Sequence, residues 1–312
     1  MDRADAPAAP GPLGRLGRAL GHALDRLLAW AGAAAWRGYA VVGLVALAMA
    51  LPGLTAMPVT DRDEARFAQA TKQMMETGDY VDIRFQDQPR WKKPVGIYWL
   101  QAGTTTPFGG TEAPIAAYRL PSVIAVVLAA LATVWASQAL LAPRAAVLAG
   151  LALTTTILAA AEATIAKTDG ALLLTAVLAL GALLRVLTDQ AGRFTWLVFW
   201  LAIAAAILLK GPIIPVIAAL AVAGYALARR FMVPAAGAAI PAPRFSALRP
   251  LPGIVLAAAL VAPWLSAIWV ISDGAFFAES VGEDLLGKVA QGQEKHWGPP
   301  GLYALIVWIS FW

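Results

Sequence analysis

The chain has 312 residues, 60% of them hydrophobic, with a mean hydropathy of +0.68 and a net charge of +5. Ordinary soluble domains contain about 45 to 50% apolar residues, so this composition excludes a typical water-soluble enzyme. The chain contains no cysteine, which excludes a disulfide-stabilised scaffold.

The N-terminal segment, residues 1–37, is predicted to be cytoplasmic and to lie as an amphipathic helix on the inner membrane surface. Leucines recur in it at helical spacing, and basic residues fall between them, as in helices that bind in the plane of a membrane. The leucines are Leu13, Leu16, Leu20, Leu24 and Leu27, and the basic residues are Arg15, Arg18, His22 and Arg26.

Residues 38–312 are predicted to form an all-α polytopic membrane domain. A membrane span requires about 17 to 25 mostly apolar residues. Seven uncharged runs approach or reach this length: 38–59, 120–143, 145–161, 170–184, 194–209, 211–228 and 250–272. The fifth run is short and fits a helix buried among the others. The last run, 299–312, is too short to cross, so we expect an N-terminal fragment of a longer protein.

Charge predicts the orientation of these spans. If the N-terminus is cytoplasmic, the inner segments carry a net charge of +8 and the outer segments a net charge of −3. Short cytoplasmic loops carry the excess of Lys and Arg in membrane proteins. The pattern therefore predicts a multi-pass membrane protein with a cytoplasmic N-terminus. Because the basic charge reports topology, nucleic acid is not an expected partner.

The first outer loop, from about 60 to 118, is too long to be structureless in a compact protein. Residues 63–77 are predicted to form a helix with acids in its first turn and Gly78 as its stop. Residues 94–105 are predicted to form a second helix with Pro94 at its first position. Both helices are expected to lie along the outer membrane surface.

The alternation of spans brings further polar residues to the same surface. Asp169 lies between the third and fourth spans, Lys210 lies between the fifth and sixth, and Glu294 and His296 precede the last apolar run. Charged groups near membrane depth are costly and usually functional, which favours a shared site.

Each candidate also has a purely structural interpretation. Helix caps or first-turn carboxylates account for Asp61, Glu64 and Asp169. Solvated or snorkelling interface lysines account for Lys92, Lys93 and Lys210, and His296 fits an ordinary loop residue. This interpretation is weaker for Asp63, because one helix start does not need three carboxylates.

Five short motifs resemble the bacterial aminoarabinose (lipid A) transferases, which belong to the wider protein O-mannosyltransferase superfamily. The resemblance extends over residues about 40 to 300. The motifs are Asp63-Glu64-Ala65-Arg66-Phe67, the stretch from Met74 to Gly78-Asp79-Tyr80, the stretch from Lys93-Pro94 to Tyr98-Trp99, Ala166-Lys167-Thr168-Asp169, and Lys210-Gly211.

The resemblance implies a type C glycosyltransferase fold, which is a helical bundle with two juxtamembrane helices in the first outer loop. It also implies a polyprenyl phosphate-linked sugar as donor. Asp63 and Asp169 would form the catalytic acidic pair. Substrate-binding residues would be Glu64 as a supporting carboxylate and the cations Arg66, Lys93 and Lys210.

The lipid A enzymes have Glu-Lys-Pro where this chain has Lys92-Lys93-Pro94, and that Glu helps to hold a metal. The resemblance thus names a divalent metal as a candidate cofactor and His296 as its candidate ligand, while Lys92 argues against both. The same difference argues against lipid A as acceptor. The acceptor therefore stays open among lipid, glycan and protein.

The chemistry would need an electrostatic clamp more than a general acid, because a polyprenyl phosphate is already a good leaving group. Lys93 stands at a predicted helix start, where backbone N–H groups also attract phosphate. Asp63 is the candidate general base, and Asp169 shares this role or orients the acceptor. Direct displacement would invert the anomeric centre.

A secondary transporter of a small polar or anionic solute is the main alternative. Transporters place their sites near the membrane midplane on broken helices, whereas the charges here cluster at one face. A non-catalytic lipid-binding or assembly subunit is a third interpretation, and it requires that Asp63 be dispensable.

The charge pattern generates a test of topology. Single cysteines can be introduced at Asp87, Gly192 and Ala238, and each is then the sole cysteine of the given sequence. A membrane-impermeant thiol reagent applied to intact cells is expected to label position 87 alone. Labelling of 192 or 238 without 87 would overturn the orientation.

Overall fold

The computed structural model describes residues 11–59, 61–231 and 242–280, with Gly282 and Ile306. This part of the chain is almost entirely helical, which confirms the predicted all-α class. The helices are α1 (Pro12–Gly32), α2 (Ala35–Ala56), α3 (Arg62–Thr77), α4 (Gly96–Thr105), α5 (Ile115–Ser137), α6 (Pro143–Thr154), α7 (Ile157–Ala163), α8 (Asp169–Leu187), α9 (Thr195–Lys210), α10 (Ile213–Phe231), α11 (Pro250–Ser272) and α12 (Ala275–Phe277). An antiparallel hairpin of β1 (Arg84–Phe85) and β2 (Gln88–Pro89) lies in the first outer loop.

The lengths and apolar composition of the helices define a multi-pass membrane protein. Within the described residues, α2, α5, α8, α10 and α11 with its preceding turn are long and apolar enough to cross a membrane. Helix α9 has 16 residues, or about 24 Å at 1.5 Å per residue, less than the roughly 30 Å of a hydrocarbon layer. It packs against α8 and α11, as expected for a short helix buried among others.

The third predicted span is broken into α6 and α7, which are bent by 62° relative to each other. Three consecutive threonines cause the break. The hydroxyls of Thr154 and Thr155 donate to the carbonyl of Leu151 at 2.8 and 3.0 Å, and Thr156 caps α7 by accepting from the N–H of Ala159. Such side-chain bonds compete with the helical ladder. The third predicted run therefore forms two helices.

One end of the bundle, which we call the arginine end, gathers the helix termini that the charge pattern assigned to the cytoplasm. Tyr39 near the start of α2 donates to Gln138 at the end of α5, at 3.5 Å. Gln190 after α8 donates to the carbonyl of Ala139 at 2.8 Å. Eight described arginines lie on the helix termini and turns of this end: Arg37, Arg144, Arg185, Arg193, Arg229, Arg230, Arg244 and Arg249.

The opposite end, which we call the loop end, carries the first outer loop, residues 164–168 and the end of α9. Helix α3 matches the predicted helix, with Asp61 as its cap and Gly78 in the left-handed region at φ 71°. Helix α4 begins at Gly96, two residues later than predicted. The carbonyl of Val95 accepts its first helical bonds, so Pro94 lies in the preceding turn.

A buried ion pair between Arg119 and Glu64 joins the elements of the loop end. The Arg119 Nε and Nη2 atoms donate to the two Glu64 carboxylate oxygens at 2.7 and 3.0 Å. Both residues are 1% exposed. Arg119 Nη1 also donates to three carbonyls at the end of α2, those of Gly53, Leu54 and Met57. The pair therefore fixes α2, α3 and α5 relative to one another.

Removing one partner of this pair is expected to destabilise the protein strongly. Arg119→Gln should lower the free energy of unfolding by about 3–5 kcal/mol, because it leaves the Glu64 charge buried and uncompensated. The control Glu76→Gln on α3, the helix that carries Glu64, removes an exposed pair with Lys72, 3.8 Å apart, and should cost at most about 1 kcal/mol. Unfolding in detergent, followed by circular dichroism, measures both. Equal effects of the two changes would show that the buried pair does not hold the loop end.

Candidate active site

The start of α3 carries two carboxylates in different environments. Asp61 caps the helix, and its Oδ1 accepts from the backbone N–H groups of Asp63 and Glu64 at 2.7 and 3.4 Å. The Asp63 side chain is 55% exposed, and Arg66 lies 3.4 Å from it. Asp63 therefore presents an open carboxylate beside a cation, whereas Asp61 is engaged by the helix.

The expectation that Glu64 binds substrate is corrected by its burial. Its two oxygens accept from Arg119, and Oε1 also accepts from the backbone N–H of Ala166 at 2.9 Å. A side chain with 1% exposure offers no surface to a substrate. Glu64 instead holds the loop 164–168 in place.

This loop is further fixed by α4 and α5. Ser122 on α5 donates to the carbonyl of Ile165 at 2.7 Å, and Gln101 on α4 donates to that of Ala166 at 3.2 Å. The backbone that precedes Lys167 is therefore held in a single arrangement, as preorganised charge requires.

Lys167 bridges two acids from different elements. Its ammonium nitrogen lies 3.0 Å from Asp61 Oδ2 and 3.8 Å from Glu162 Oε1. The Lys167 side chain is 18% exposed, so the bridge is largely shielded from water. It connects the start of α3 to the end of α7.

These contacts shift two pKa values in opposite directions. Burial alone would lower the pKa of Lys167, but the hydrogen bond to Asp61 and the charges of Glu162, Asp61 and Asp169 outweigh it and raise the pKa. Burial alone would raise the pKa of Asp61, but hydrogen bonds from Lys167 and from the Asp63 N–H outweigh it and lower the pKa. The stabilisation from Asp61 is lost as pH falls through its lowered pKa, and that from Lys167 as pH rises through its raised pKa. Both contributions are present at neutral pH.

Asp169 and Lys210 form an ion pair between the start of α8 and the end of α9. Their side chains are 36% and 25% exposed, so the pair lies at the surface of the bundle and not in its core. Asp169 occupies the first turn of α8, whose cap residue is Thr168. Asp169 is therefore a first-turn carboxylate of α8 and not its cap residue.

Lys93 lies in the turn before α4 and is partly buried, whereas Lys92 is exposed. The start of α4 abuts the end of α9, because a Cβ atom on Gly96 would lie 2.7 Å from the carbonyl oxygen of Leu208. The close approach of these two backbones brings the segments that carry Lys93 and Lys210 to the same part of the loop end.

An apolar cavity of about 380 Å³ opens beside Asp169. Glu162 and Asp169 supply its charged groups, and Glu162 Oε2 is buried without a hydrogen-bond partner among the described residues. Helices α6, α7, α8 and α10 form its walls with Leu153, Thr156, Leu158, Ala159, Leu172, Leu173, Ala176, Ile213, Ile214 and Ile217. Such a cavity suits a molecule with an apolar chain and a polar head.

All candidate residues within the described ranges lie at the loop end, but they divide into groups. Asp63 and Arg66 stand together on α3, Asp169 pairs with Lys210, and Lys93 lies at the α4 turn. The structure does not bring Asp63 and Asp169 into direct contact through any ion pair or hydrogen bond of the described residues.

No metal centre occurs within the part of the chain that the structure describes, where no three His, Asp or Glu side chains are grouped to hold an ion. Glu294 and His296, the latter being the candidate metal ligand, lie outside the described residues.

Sequence reasoning missed three residues of this site. Arg119 precedes the apolar run that begins at position 120, and Glu162 follows the run that ends at 161. Lys167 was noticed only as part of a motif. All three residues could be found as charges that flank the apolar runs, but the sequence does not show which of these charges form ion pairs.

A family model described as dolichyl-phosphate-mannose-protein mannosyltransferase matches residues 92–269, more than half of the chain. The chain belongs to this family.

Two relatives of this chain carry the name undecaprenyl phosphate-alpha-4-amino-4-deoxy-L-arabinose arabinosyl transferase. The protein from Aeromonas salmonicida (strain A449) is 33% identical over 82 residues, which are 26% of this chain and 14% of that protein. The protein from Edwardsiella ictaluri (strain 93-146) is 31% identical over 109 residues, which are 35% of this chain and 18% of that protein.

The fold is that of the solved structures of ArnT from Cupriavidus metallidurans. The apo structure aligns with a TM-score of 0.68 and 22% identity over 89% of this chain and 49% of that chain. The structure bound to undecaprenyl phosphate aligns with a TM-score of 0.70 and 21% identity, over 88% of this chain and 47% of that chain. The chain thus spans about half the length of these proteins.

The contact between α4 and α9 can be tested with two glycines of α4. Gly96→Ala is expected to lower the free energy of unfolding by about 1–3 kcal/mol, because its methyl group would overlap the Leu208 backbone. At Gly103 nothing lies within 4 Å of a built Cβ, so Gly103→Ala should stabilise by up to about 1 kcal/mol through helix propensity. Thermal unfolding in detergent measures both variants. Stabilisation by both would contradict the close approach.

Proposed function

We propose that this chain is part of a membrane glycosyltransferase that moves a sugar from a polyprenyl phosphate to an acceptor outside the cytoplasm. The observation that carries the proposal is the apolar cavity, which opens beside Asp169, the ion-pair partner of Lys210, at the loop end of the bundle. A lipid-linked sugar phosphate has the matching chemistry, since it joins a long hydrocarbon chain to a charged, hydroxylated head.

The donor would place its isoprenoid chain among the leucine and isoleucine side chains of the cavity. Its phosphate would lie near Lys210 and Lys93, because the adjoining ends of α9 and α4 carry these two lysines. Asp169 already orients the Lys210 ammonium, so the cation is in place before the phosphate arrives. Preorganised cations of this kind stabilise the charge that develops on a departing phosphate.

Asp63 is the candidate base. It is the most exposed carboxylate at the start of α3. Asp61 caps the helix and pairs with Lys167, and Glu64 pairs with Arg119. An acceptor hydroxyl that approaches Asp63 would give up its proton to the carboxylate. Arg66, 3.4 Å away, would orient the carboxylate.

The transfer would proceed by direct displacement. The acceptor oxygen forms a bond to the anomeric carbon while the bond from that carbon to the phosphate oxygen breaks. The electron pair leaves with the polyprenyl phosphate, and the proton of the acceptor hydroxyl passes to Asp63. Attack opposite the leaving group inverts the anomeric centre. The sugar would be a pentose or a hexose, and the acceptor a lipid, a glycan or a protein.

The charge distribution supports a location in the bacterial inner membrane with the loop end in the periplasm. Nucleotide sugars are absent from that compartment, so a lipid carrier would have to deliver the sugar. The names of the curated relatives and the undecaprenyl phosphate in one ArnT structure support the same class of donor. A transporter is less favoured, because the charged groups gather at one end of the bundle and not at its midplane.

The donor preference decides this proposal. The purified full-length protein is expected to transfer sugar from a synthetic polyprenyl phosphate sugar to envelope acceptors, and to ignore the corresponding nucleotide sugar. Mass spectrometry of the products measures the transfer. Transfer from the nucleotide sugar without carrier lipid would overturn the proposal, and solute-dependent ion flux in liposomes without transfer would identify a transporter.

Variants at the start of α3 separate the roles of neighbouring carboxylates in the same assay. Asp63→Asn should reduce the rate by about 10²-fold or more, as loss of a general base does. Asp61→Asn is the matched control, because Asn still caps the helix and should retain far more activity. Lys93→Ala should impair use of the donor more than use of the acceptor. If Asp63→Asn keeps near wild-type activity, Asp63 is not the base.

A further inference from the structure

Helix α1 has one apolar and one basic side, and most of it touches no other part of the described protein. Its leucines are strongly exposed to solvent, from 43% at Leu27 to 85% at Leu13. They recur at every third or fourth position and so form a single stripe. The stripe consists of Leu13, Leu16, Leu20, Leu24 and Leu27.

The opposite side of the helix carries Arg15, Arg18 and Arg26, with one acid, Asp25. The helix is attached to the bundle at its C-terminal end, where Ala31 is buried and Leu28 packs against the core of α2, α5 and α6. A Cβ atom on Gly32 would lie 2.7 Å from the Arg144 side chain, so α1 ends in close contact with the start of α6 at the arginine end.

The junction between α1 and α2 carries two tryptophans held by one arginine. The Arg37 guanidinium lies 5.0 Å from the Trp30 ring and 5.6 Å from the Trp36 ring. The two rings meet edge to face with centroids 6.4 Å apart, and they are 47% and 66% exposed. Tryptophan is enriched at the level of lipid headgroups, so this cluster marks the depth at which α1 leaves the bundle.

We propose that α1 binds an anionic membrane surface in the plane of the leaflet at the arginine end, with its leucine stripe among the acyl chains and its arginines among the headgroups. Charge complementarity selects this occupant. An apolar partner protein would match the stripe but would leave the arginines without counter-charges, whereas a leaflet that contains anionic lipid satisfies both sides at once. The inference does not depend on the reaction at the loop end.

The test compares two labelled positions on opposite sides of α1. Single cysteines at Leu20 and His22, in a chain without native cysteine, are labelled with bimane in the full-length protein. The protein is reconstituted in vesicles of phosphatidylcholine, with or without phosphatidylglycerol. With phosphatidylglycerol present, acyl-chain brominated lipid should quench position 20 several-fold more than position 22. Aqueous iodide should show the reverse preference.

A second comparison tests whether binding of α1 requires anionic lipid. Lipid quenching at position 20 should fall in vesicles without phosphatidylglycerol, and the triple variant Arg15→Gln, Arg18→Gln, Arg26→Gln should lose this difference. Equal quenching in both kinds of vesicle would overturn the anionic selectivity. Iodide access to position 20 in both would overturn membrane binding. Protection of the labelled protein from both quenchers, together with disulfide-linked dimers of the unlabelled Leu20→Cys protein, would identify a second copy of the chain as the occupant and overturn the proposal.

Discussion

The loop end of this protein depends on one interaction, the buried pair between Arg119 and Glu64. Two fully buried charges are costly to remove from water, and the cost is offset only when geometry and hydrogen bonds are complete. Here the pair is bidentate, and Arg119 also occupies the carbonyls that the last turn of α2 leaves without partners. The backbone N–H of Ala166 donates to the same Glu64 carboxylate and so anchors the loop 164–168. Asp61 and Asp63 at the start of α3, and Lys167 in this loop, therefore lie on elements that the pair holds.

Three acids within four positions of the chain show how environment assigns roles. Asp61 accepts helix N–H groups and Lys167, Asp63 is open to solvent beside Arg66, and Glu64 is buried against Arg119. Their intrinsic chemistry is almost the same. A base needs an open carboxylate, a helix start needs an acceptor, and a buried cation needs a counter-charge, so only one of the three suits each task.

Irregular backbone borders the apolar cavity of the bundle. The threonine break turns α7 away from α6 by 62°, and the apolar cavity lies beside these two helices. Helix α9 is short, so Lys210 ends it within reach of Asp169. At the break between α6 and α7, Thr154 and Thr156 are buried and Thr155 is exposed. The hydroxyls of Thr154 and Thr155 donate to a backbone carbonyl there, and such side-chain bonds help irregular backbone to be tolerated in a membrane. The fold shared with ArnT thus joins an apolar wall to a charged rim.

Local sequence patterns alone predicted most of the helices of this protein. Apolar run length predicted the membrane helices, helical spacing predicted α1 and α3, and Gly78 predicted the end of α3, because each depends on residues close together in the chain. Tertiary structure decided the rest. Glu64 and Arg119 are 55 positions apart, Asp169 and Lys210 are 41 apart, and Asp61 and Lys167 are 106 apart. A sequence shows which charges lie at one end of a bundle, but their pairing depends on helix packing and on bends such as that at Thr155, where side-chain hydroxyls compete with the backbone for the same carbonyls.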